Sequence, residues 1–468
     1  MSKKFIPILL IIIFILFTGF RCKCTPEAVK EAMKSVTLEY WRVWDEPSDF
    51  GDIIKAYRGI HPNINIVYKK FRYDEYEDKL LQAFAQDKGP DVFSIHNTWM
   101  RKYHSKGFLQ PVPAQITMAY PELVGEIKKE VVPRLRTTPS INTGQLEKLF
   151  IDVVYDDVVI RTRNQRTGGL VDQIYGLPLS VDTLVLFYNR DLFNNAGITS
   201  PPRYWDRDFQ QMVKRLTKQN NKGQIIQSGI ALGGGSNINR ASDIISVLMM
   251  QNGAEMAAGS QIMFHTTPPG WTKDGIVPGL DAFRFFTDFS NPAKEVHSWS
   301  LELEDSLTMF AQGKLAMMLG YSYMIPEINA LNPKLNFSIT NLPQIEGNTF
   351  VNFANYWVEV VSSKKINTDE AWDFVQFITK AEQAKKYSEA TGKPTALRSL
   401  VEEQLEDLDM GVFAEQLLTS KSWYKGYNPE AAEKHIIEMI DKVASGQETV
   451  NRSIEYAIGK LNQTMVPQ

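Results

Sequence analysis

A chain of 468 residues is too long for a single compact hydrophobic core, so two domains of about 200 residues each are expected. Its formal charge of −3, from 51 basic and 54 acidic side chains, gives no concentrated basic face and argues against a nucleic-acid partner. Both cysteines, Cys22 and Cys24, lie near the N-terminus, which leaves the body of the chain without thiols for a disulfide, an iron–sulfur cluster or a cysteine zinc site. The histidines, His61, His96, His104, His265, His297 and His435, offer no better ligand spacing than His96 with His104 and read as surface or hydrogen-bonded core residues. No metal or other cofactor is expected.

Lys3-Lys4 followed by the apolar run Phe5 to Phe20 has the basic and hydrophobic regions of an export signal, which places the rest of the chain outside the cytoplasm. A lipoprotein signal would put diacylglycerol on Cys22, yet Arg21 and Lys23 precede the two cysteines where such signals usually carry a small residue. The alternatives are an uncleaved anchor, for which the run is short of the usual span of about 20 residues, or a signal cut elsewhere. Residues 1–24 are thus expected to be a signal peptide or membrane anchor and 25–35 a linker.

Val36 to Val43 alternates as a strand does and runs into Trp44-Asp45-Glu46-Pro47, a turn and helix start. A helix (Pro47 to Ile60), a strand (Asn65 to Phe71), a helix (Tyr73 to Gln86) and a strand (Val92 to Ile95) continue the alternation of an open α/β sheet. In such sheets ligands gather at the loops after strand C-termini. Two loops stand out: Trp44-Asp45-Glu46, and the stretch from Gly89-Pro90-Asp91 through His96-Asn97-Thr98-Trp99 to Gly107-Phe108-Leu109. Phe150 to Ile160 is strand-like or helical, between charged turns.

Ile174 to Asn189 reads as a buried strand in which one acid, Asp182, sits among apolar neighbours and needs a partner. That partner could be a ligand. A helix over Tyr204 to Gln219 and a strand over Gly229 to Leu232 lead to Gly233-Gly234-Gly235, which lacks the Gly-Lys-Ser/Thr of a phosphate loop. Farther on, Phe310 to Tyr323 holds a helix end at Gly313, a short apolar strand and a turn at Gly320, with Met317 and Met318 in the core. A further helix begins near Thr368, with Asp369 and Glu370 in its first turn.

Several of these stretches resemble family 1 extracellular solute-binding proteins, the sugar-binding subunits of ABC importers of the maltose-binding-protein type. They are Tyr175-Gly-Leu-Pro178 with Tyr188-Asn-Arg-Asp-Leu-Phe193, Ala196-Gly197-Ile198, Trp205-Asp206, Gly89-Pro90-Asp91, Phe310 to Tyr323, Asn352 to Ser362 and Thr391 to Ala396. The resemblance implies an α/β, two-lobe periplasmic-binding-protein type II fold with a central ligand cleft and hinge crossings. Lobe 1 would span 36–181, with an insertion at about 114–173 that either caps the cleft or buttresses the lobe. Lobe 2 would span 182–354, the chain would return to lobe 1 over 355–398, and 399–468 would form C-terminal helices of lobe 2. It further implies a monomeric, non-catalytic binder that delivers a carbohydrate to a membrane permease.

Carried over residue by residue, the resemblance points to Trp44, Asp45 and Glu46, to His96, Asn97 and Trp99, and to Asp182. It adds Asn239 and Arg240 beside the glycine loop, Tyr321 and Tyr323, Asn355 and Trp357, and Trp423 in the loop before Pro429. These types suit a sugar, whose hydroxyl edges need oriented donors and acceptors and whose C–H faces prefer flat rings. A glycoside hydrolase is the competing class, needing two carboxyls at a fixed separation, for which Asp45, Glu46 and Asp182 are available. A binder of another solute, such as a phosphorylated polyol, would call for clustered Arg or His, and only Arg101 and Arg240 lie near the expected cleft.

Overall fold

The computed structural model describes residues 27–124, 130–163, 168–272 and 275–467. The export-signal and Cys22 readings lie outside the described residues. Among the described residues no helix is long and apolar enough to cross a membrane. The expected linker contains a short helix, Glu27–Ala32.

Val36–Val43 forms, with Leu38 and Tyr40 buried on one face and Trp41 and Val43 on the other, and pairs in parallel with Ile64–Phe71 on one side and Val92–His96 on the other. Between these strands, helix Tyr73–Ala85 buries Tyr76, Leu80 and Phe84, spaced four residues apart on one face. Trp357–Ser362 joins antiparallel to Val92–His96 and carries Leu109–Gln110 and Leu177–Pro178 beside it. The parallel order puts the C-terminal ends at Val43, Phe71 and His96 together on one edge, which faces the second lobe.

That second lobe is built on Val185–Asn189, which pairs antiparallel with Met317–Gly320 and Phe337–Thr340. Helix Ala241–Gln251 is buried nearly all round because Pro278–Asp288 and Pro429–Ala444 both pack on it. The expected strand at Gly229 to Leu232 is absent. Ser228 bridges to Leu315 and Ala231 N donates to Met317 O (3.1 Å), but Leu232 N turns to Ile230 O (3.2 Å), so no ladder is built over this stretch. The helix expected over Tyr204 to Gln219 is shorter, Arg207–Leu216, because Asp206 caps it by accepting from Phe209 N at 2.8 Å. The helix expected near Thr368 begins at that residue, with Asn367 in the N-cap position.

Two hydrophobic cores divide the chain, and their membership interleaves. One holds Leu38 through Val181 and then Ala354 through Leu417; the other holds Leu184 through Phe353 and then Phe413 through Met465. The last passage falls later than residue 399. Helix Arg398–Gln404 buries Val401 in the first core and Phe150 bridges to Leu397, so the chain leaves that lobe only near Phe413. Three passages meet in a small hinge sheet, in which Asn352–Asn355 lies between Asp182–Thr183 and Ser420–Lys421, with Asp182 opposite Asn355.

The insertion forms an antiparallel hairpin, Gln115–Val124 with Glu130–Pro139, then helices Thr143–Leu149 and Asp152–Val158 and a second hairpin. It buttresses the lobe: Thr117 N donates to Asp369 (3.0 Å) and Tyr120 packs on the His61 ring (4.8 Å), while none of its described residues lines the cleft.

Candidate ligand cleft

Between the lobes lies a cavity of about 950 Å³, at the upper end of what small-molecule sites occupy. Trp44, Asp45, Glu46, His96, Asn97, Trp99, Asp182, Arg240, Tyr323, Asn355, Trp357 and Trp423 all line it. Tyr321 and Asn239 do not. Tyr321 is fully buried and stacks behind Tyr323 (5.9 Å, 17°), its hydroxyl donating to Asp243 at 2.8 Å. Asn239 turns away to accept from Ser306 Oγ (2.7 Å) and Leu307 N (3.2 Å).

The aromatic walls follow from where the strands end. One residue past Val43 the chain turns through Trp44 at φ 74°, and one residue before helix Ala241–Gln251 it turns through Arg240 at φ 60°. Left-handed backbone at a non-glycine residue costs on the order of 1–3 kcal/mol and collects at functional sites. Trp44 stands half-exposed, stacked on Tyr73 (5.3 Å, 22°). Trp357 meets Trp99 edge-on at 5.7 Å, and Trp423 is held by its indole N–H donating to Ser246 (2.9 Å). Trp99 itself is 5% exposed and lies flat on Tyr103 (5.8 Å, 4°), so it serves the lobe's packing as much as the cavity.

The polar groups are more tied up than their sequence context suggests. Asp45 is buried and held by Arg42 (2.9 Å), the Tyr387 hydroxyl (3.1 Å) and Lys393. Burial alone would raise its carboxyl, but Arg42 and Lys393 keep it below the ordinary value. Glu46 is exposed and paired with Lys70. Asn97 gives its amide to Asp157 (2.9 Å), a buried acid that also takes Tyr356 (2.6 Å), Ser422 (2.6 Å) and Lys425. Asp182 already accepts from Ser322 N (2.9 Å), Ser322 Oγ (2.7 Å) and Thr183 N (2.9 Å), so the partner its burial requires is supplied largely by the protein.

A chain of hydrogen bonds crosses the cleft floor. Thr98 Oγ1 meets His96 Nδ1 (2.8 Å), His96 Nε2 meets Asn355 Oδ1 (3.1 Å), and Asn355 donates to Asp243 (3.3 Å), which grips Arg240 through both oxygens at 2.9 and 3.0 Å. Burial, aided by the Arg240 charge, pushes the His96 pKa down to about 4. The ring is therefore neutral at pH 7 and, with Thr98 N also donating to Nδ1, Nε2 carries the hydrogen.

Residues 44–385 match the family of bacterial extracellular solute-binding proteins. The chain belongs to that family. The galactooligosaccharide-binding protein of Bacillus subtilis strain 168 is 21% identical over 449 residues, 93% of this chain and 91% of that one. Among solved structures, the cyclic alpha-maltosyl-1,6-maltose binding protein of Arthrobacter globiformis superposes with a TM-score of 0.70 at 17% identity, covering 92% of this chain and 99% of that one. An ABC transporter solute-binding protein from Thermotoga lettingae, solved with alpha-D-tagatose, gives 0.62 at 20% identity, over 92% and 100%. The fold is the two-lobe periplasmic-binding-protein type II fold.

In this solute-binding protein the lobes touch across the cleft mouth, where Lys102 of the first lobe reaches Glu430 of the second (2.8 Å) as well as Glu77 beside it (2.7 Å). Several cleft residues escaped the sequence reading: Tyr73, Asp243, Ser322, Lys393, Glu430 and Glu433. Tyr73 follows a strand end as Trp44 does, and the same rule of position finds it. Asp243 lies three residues after Arg240, one helical turn, where an ion pair forms. Lys393 comes from far along the chain and gives no local signal.

Burial pushes the Asp182 carboxyl up to about 7, against the three N–H and O–H donors that hold it down. A carboxyl raised in the fold keeps a proton that the unfolded chain has released, so stability falls as pH rises from about 4 to about 7. Asp182→Asn removes that dependence. Its melting temperature relative to the parent is expected to rise steadily between pH 5 and 7.5, and a pH-independent difference would show that the carboxyl is ionised throughout.

Proposed function

We propose that the protein captures a carbohydrate, an oligosaccharide, in this cleft and delivers it to the membrane subunits of an ABC importer without turning it over. The observation that carries this reading is the set of half-exposed rings on opposing walls, Trp44 and Tyr73 against Tyr323, interleaved with carboxylates and with a neutral histidine and an asparagine. Flat rings meet sugar C–H faces, and the polar groups meet hydroxyls. The curated relative from Bacillus subtilis and the structural neighbours named above, with their sugar ligands, support the same class.

The charge of the cleft speaks against a phosphorylated solute. Among the described lining residues, Asp45, Glu46, Asp49, Asp182, Asp243, Glu327, Asp409, Glu430 and Glu433 outnumber Arg42, Arg240 and Lys393, even with Lys70 and Lys102 pairing Glu46 and Glu430 from outside the lining. The proposed division of the chain is one lobe from 36–181 and a returning segment from 355, with the second lobe taking 182–354 and the C-terminal helices. The proposed place of work is outside the cytoplasm, with residues 1–24 as leader or membrane attachment and Cys22 as the candidate lipidated residue. The proposed working unit is a monomer.

Calorimetric titration against a panel of neutral oligosaccharides tests the reading, with melting curves as a second readout. A ligand that binds only the folded state at a hundred times its Kd stabilises by about 2.7 kcal/mol. Binding of one oligosaccharide class with no reducing ends released is the expected result. Release of reducing ends, lost in Asp182→Asn, would make the protein a hydrolase instead.

A further inference from the structure

None of the insertion's described residues lines the cleft, yet one of them holds three stretches that do. Helix Asp152–Val158 buries Val153, Val154 and Val158 and, with them, the acid Asp157. A carboxylate so enclosed must have its charge met, and it has about four acceptor positions to fill. Asp157 fills them from two directions. Its Oδ2 accepts from Asn97 Nδ2 (2.9 Å) and from the Tyr356 hydroxyl (2.6 Å). Its Oδ1 accepts from Ser422 Oγ (2.6 Å) and pairs with Lys425, whose ammonium also donates to Ser422 Oγ (3.1 Å).

Three of these donors belong to the cleft and sit among other residues that line it. Asn97 lies between His96 and Thr98, Tyr356 between Asn355 and Trp357, and Ser422 just before Trp423. The first two stretches stand where Val92–His96 ends and Trp357–Ser362 begins, and Asn97 N donates to Tyr356 O there (3.0 Å). The third follows the hinge strand Ser420–Lys421, where the chain enters the second lobe: the Trp423 indole donates to Ser246 and Tyr424 is buried in the second core. Helix Asp152–Val158 packs against both Asn97–Trp99 and Ser420–Lys421, which puts its carboxylate at the junction of the lobes.

We propose that Asp157 is a positioning residue for solute binding: through Asn97, Tyr356 and Ser422 it fixes the relative places of stretches 96–99, 355–357 and 422–423, the last of which leads into the other lobe. A carboxylate suits this task because both of its oxygens accept, one toward each lobe, whereas an amide offers an acceptor on one side and donors on the other. The insertion thereby shapes the cleft without touching the solute. This inference rests on the reading of the cleft as the binding site, and its test needs no solute.

Hydrogen exchange of the full chain, followed by mass spectrometry with nothing added, provides that test. In Asp157→Ala the amides of 96–99, 355–357 and 420–425 are expected to exchange at least about tenfold faster, because bonds to a charged acceptor are lost at all three. Helix Tyr73–Ala85, in the same lobe, should keep the parent rate. Asp157→Asn retains the size of the side chain and one acceptor, with donors that a hydroxyl can accept, and should return the three stretches to within about threefold of the parent. Faster exchange confined to the insertion would overturn the proposal, since the carboxylate would then support only its own helix. Equal loosening of the whole first lobe, not reversed in Asp157→Asn, would overturn it as well. Should Asp157→Ala not fold, Ser422→Ala combined with Lys425→Met removes both donors from one oxygen and leaves the helix untouched. Exchange over 420–425 is then expected to quicken about tenfold while 152–158 keeps the parent rate, and an unchanged 420–425 would overturn the proposal. None of these results bears on whether an oligosaccharide binds, which the calorimetric titration reads separately.

Discussion

Replacing Arg42 with methionine is expected to cost the first lobe about 3–5 kcal/mol, the usual penalty for stranding one partner of a buried ion pair. The guanidinium is 3% exposed and lies between Asp45 (2.9 Å) and Glu359 (3.3 Å), over the Phe50 ring at 4.7 Å. Asp45 would keep Lys393 and the Tyr387 hydroxyl, but Glu359, with no exposure at all, would keep only Tyr40 (2.8 Å) and Ser94 (2.7 Å) as neutral donors. Urea unfolding followed by tryptophan fluorescence should show the transition of the first lobe moved to lower denaturant. Adding Glu359→Gln should recover a large part of the loss, because the stranded charge is then gone. An unchanged midpoint in the single variant would mean that the network is not what holds the loop at Trp44. The functional consequence is indirect: Asp45 sits next to Trp44, so loosening it blurs a cleft wall.

Much of the first lobe was legible because its signals are local. Val36 to Val43 alternates, helix Tyr73–Ala85 repeats its apolar face at every fourth residue, and ligand loops follow strand ends, which is why Trp44 and His96 were found on the cavity, whereas Trp357, which opens its strand, was pointed to by the resemblance. What could not be read was how each polar group spends its hydrogen bonds. Asp182 has the context of a lone acid in an apolar strand, yet Ser322, 140 residues on, supplies two of its donors. Asn97 points at Asp157 and Asn239 at Ser306 for the same reason: partners distant in sequence compete with any ligand. The glycine loop met the same fate. The amides of Gly235 and Ser236 are taken by Asp441 at 2.8 and 3.2 Å, so that loop braces a C-terminal helix. The late return of the chain to the second lobe, near Phe413, was hidden because Leu397, just ahead of a helix, and Val401 on it are ordinary apolar residues that either core would accept.

Trp44→Ala and Tyr323→Ala are each expected to weaken oligosaccharide binding by about thirtyfold, and together by about a thousandfold. The two rings stand 51% and 39% exposed on opposite lobes, so the fold gains little from them and binding is where their apolar faces can be used. Each is braced from behind, Trp44 by Tyr73 at 5.3 Å and Tyr323 by Tyr321 at 5.9 Å, so little side-chain freedom is lost when a sugar settles on it. Aromatic anchors of this kind carry about 2 kcal/mol or more on truncation, which corresponds to about thirtyfold in Kd. Because they belong to different lobes and share no described contact, their costs should add in free energy and multiply in affinity. Calorimetry of the two single variants and the double variant, with the oligosaccharide found in the panel, measures this directly. Melting curves without ligand should match the parent within about 0.5 kcal/mol, as for surface changes. An affinity unchanged in both single variants would remove the opposing rings as sugar platforms, and a double variant no worse than either single one would mean that the ligand uses one wall at a time.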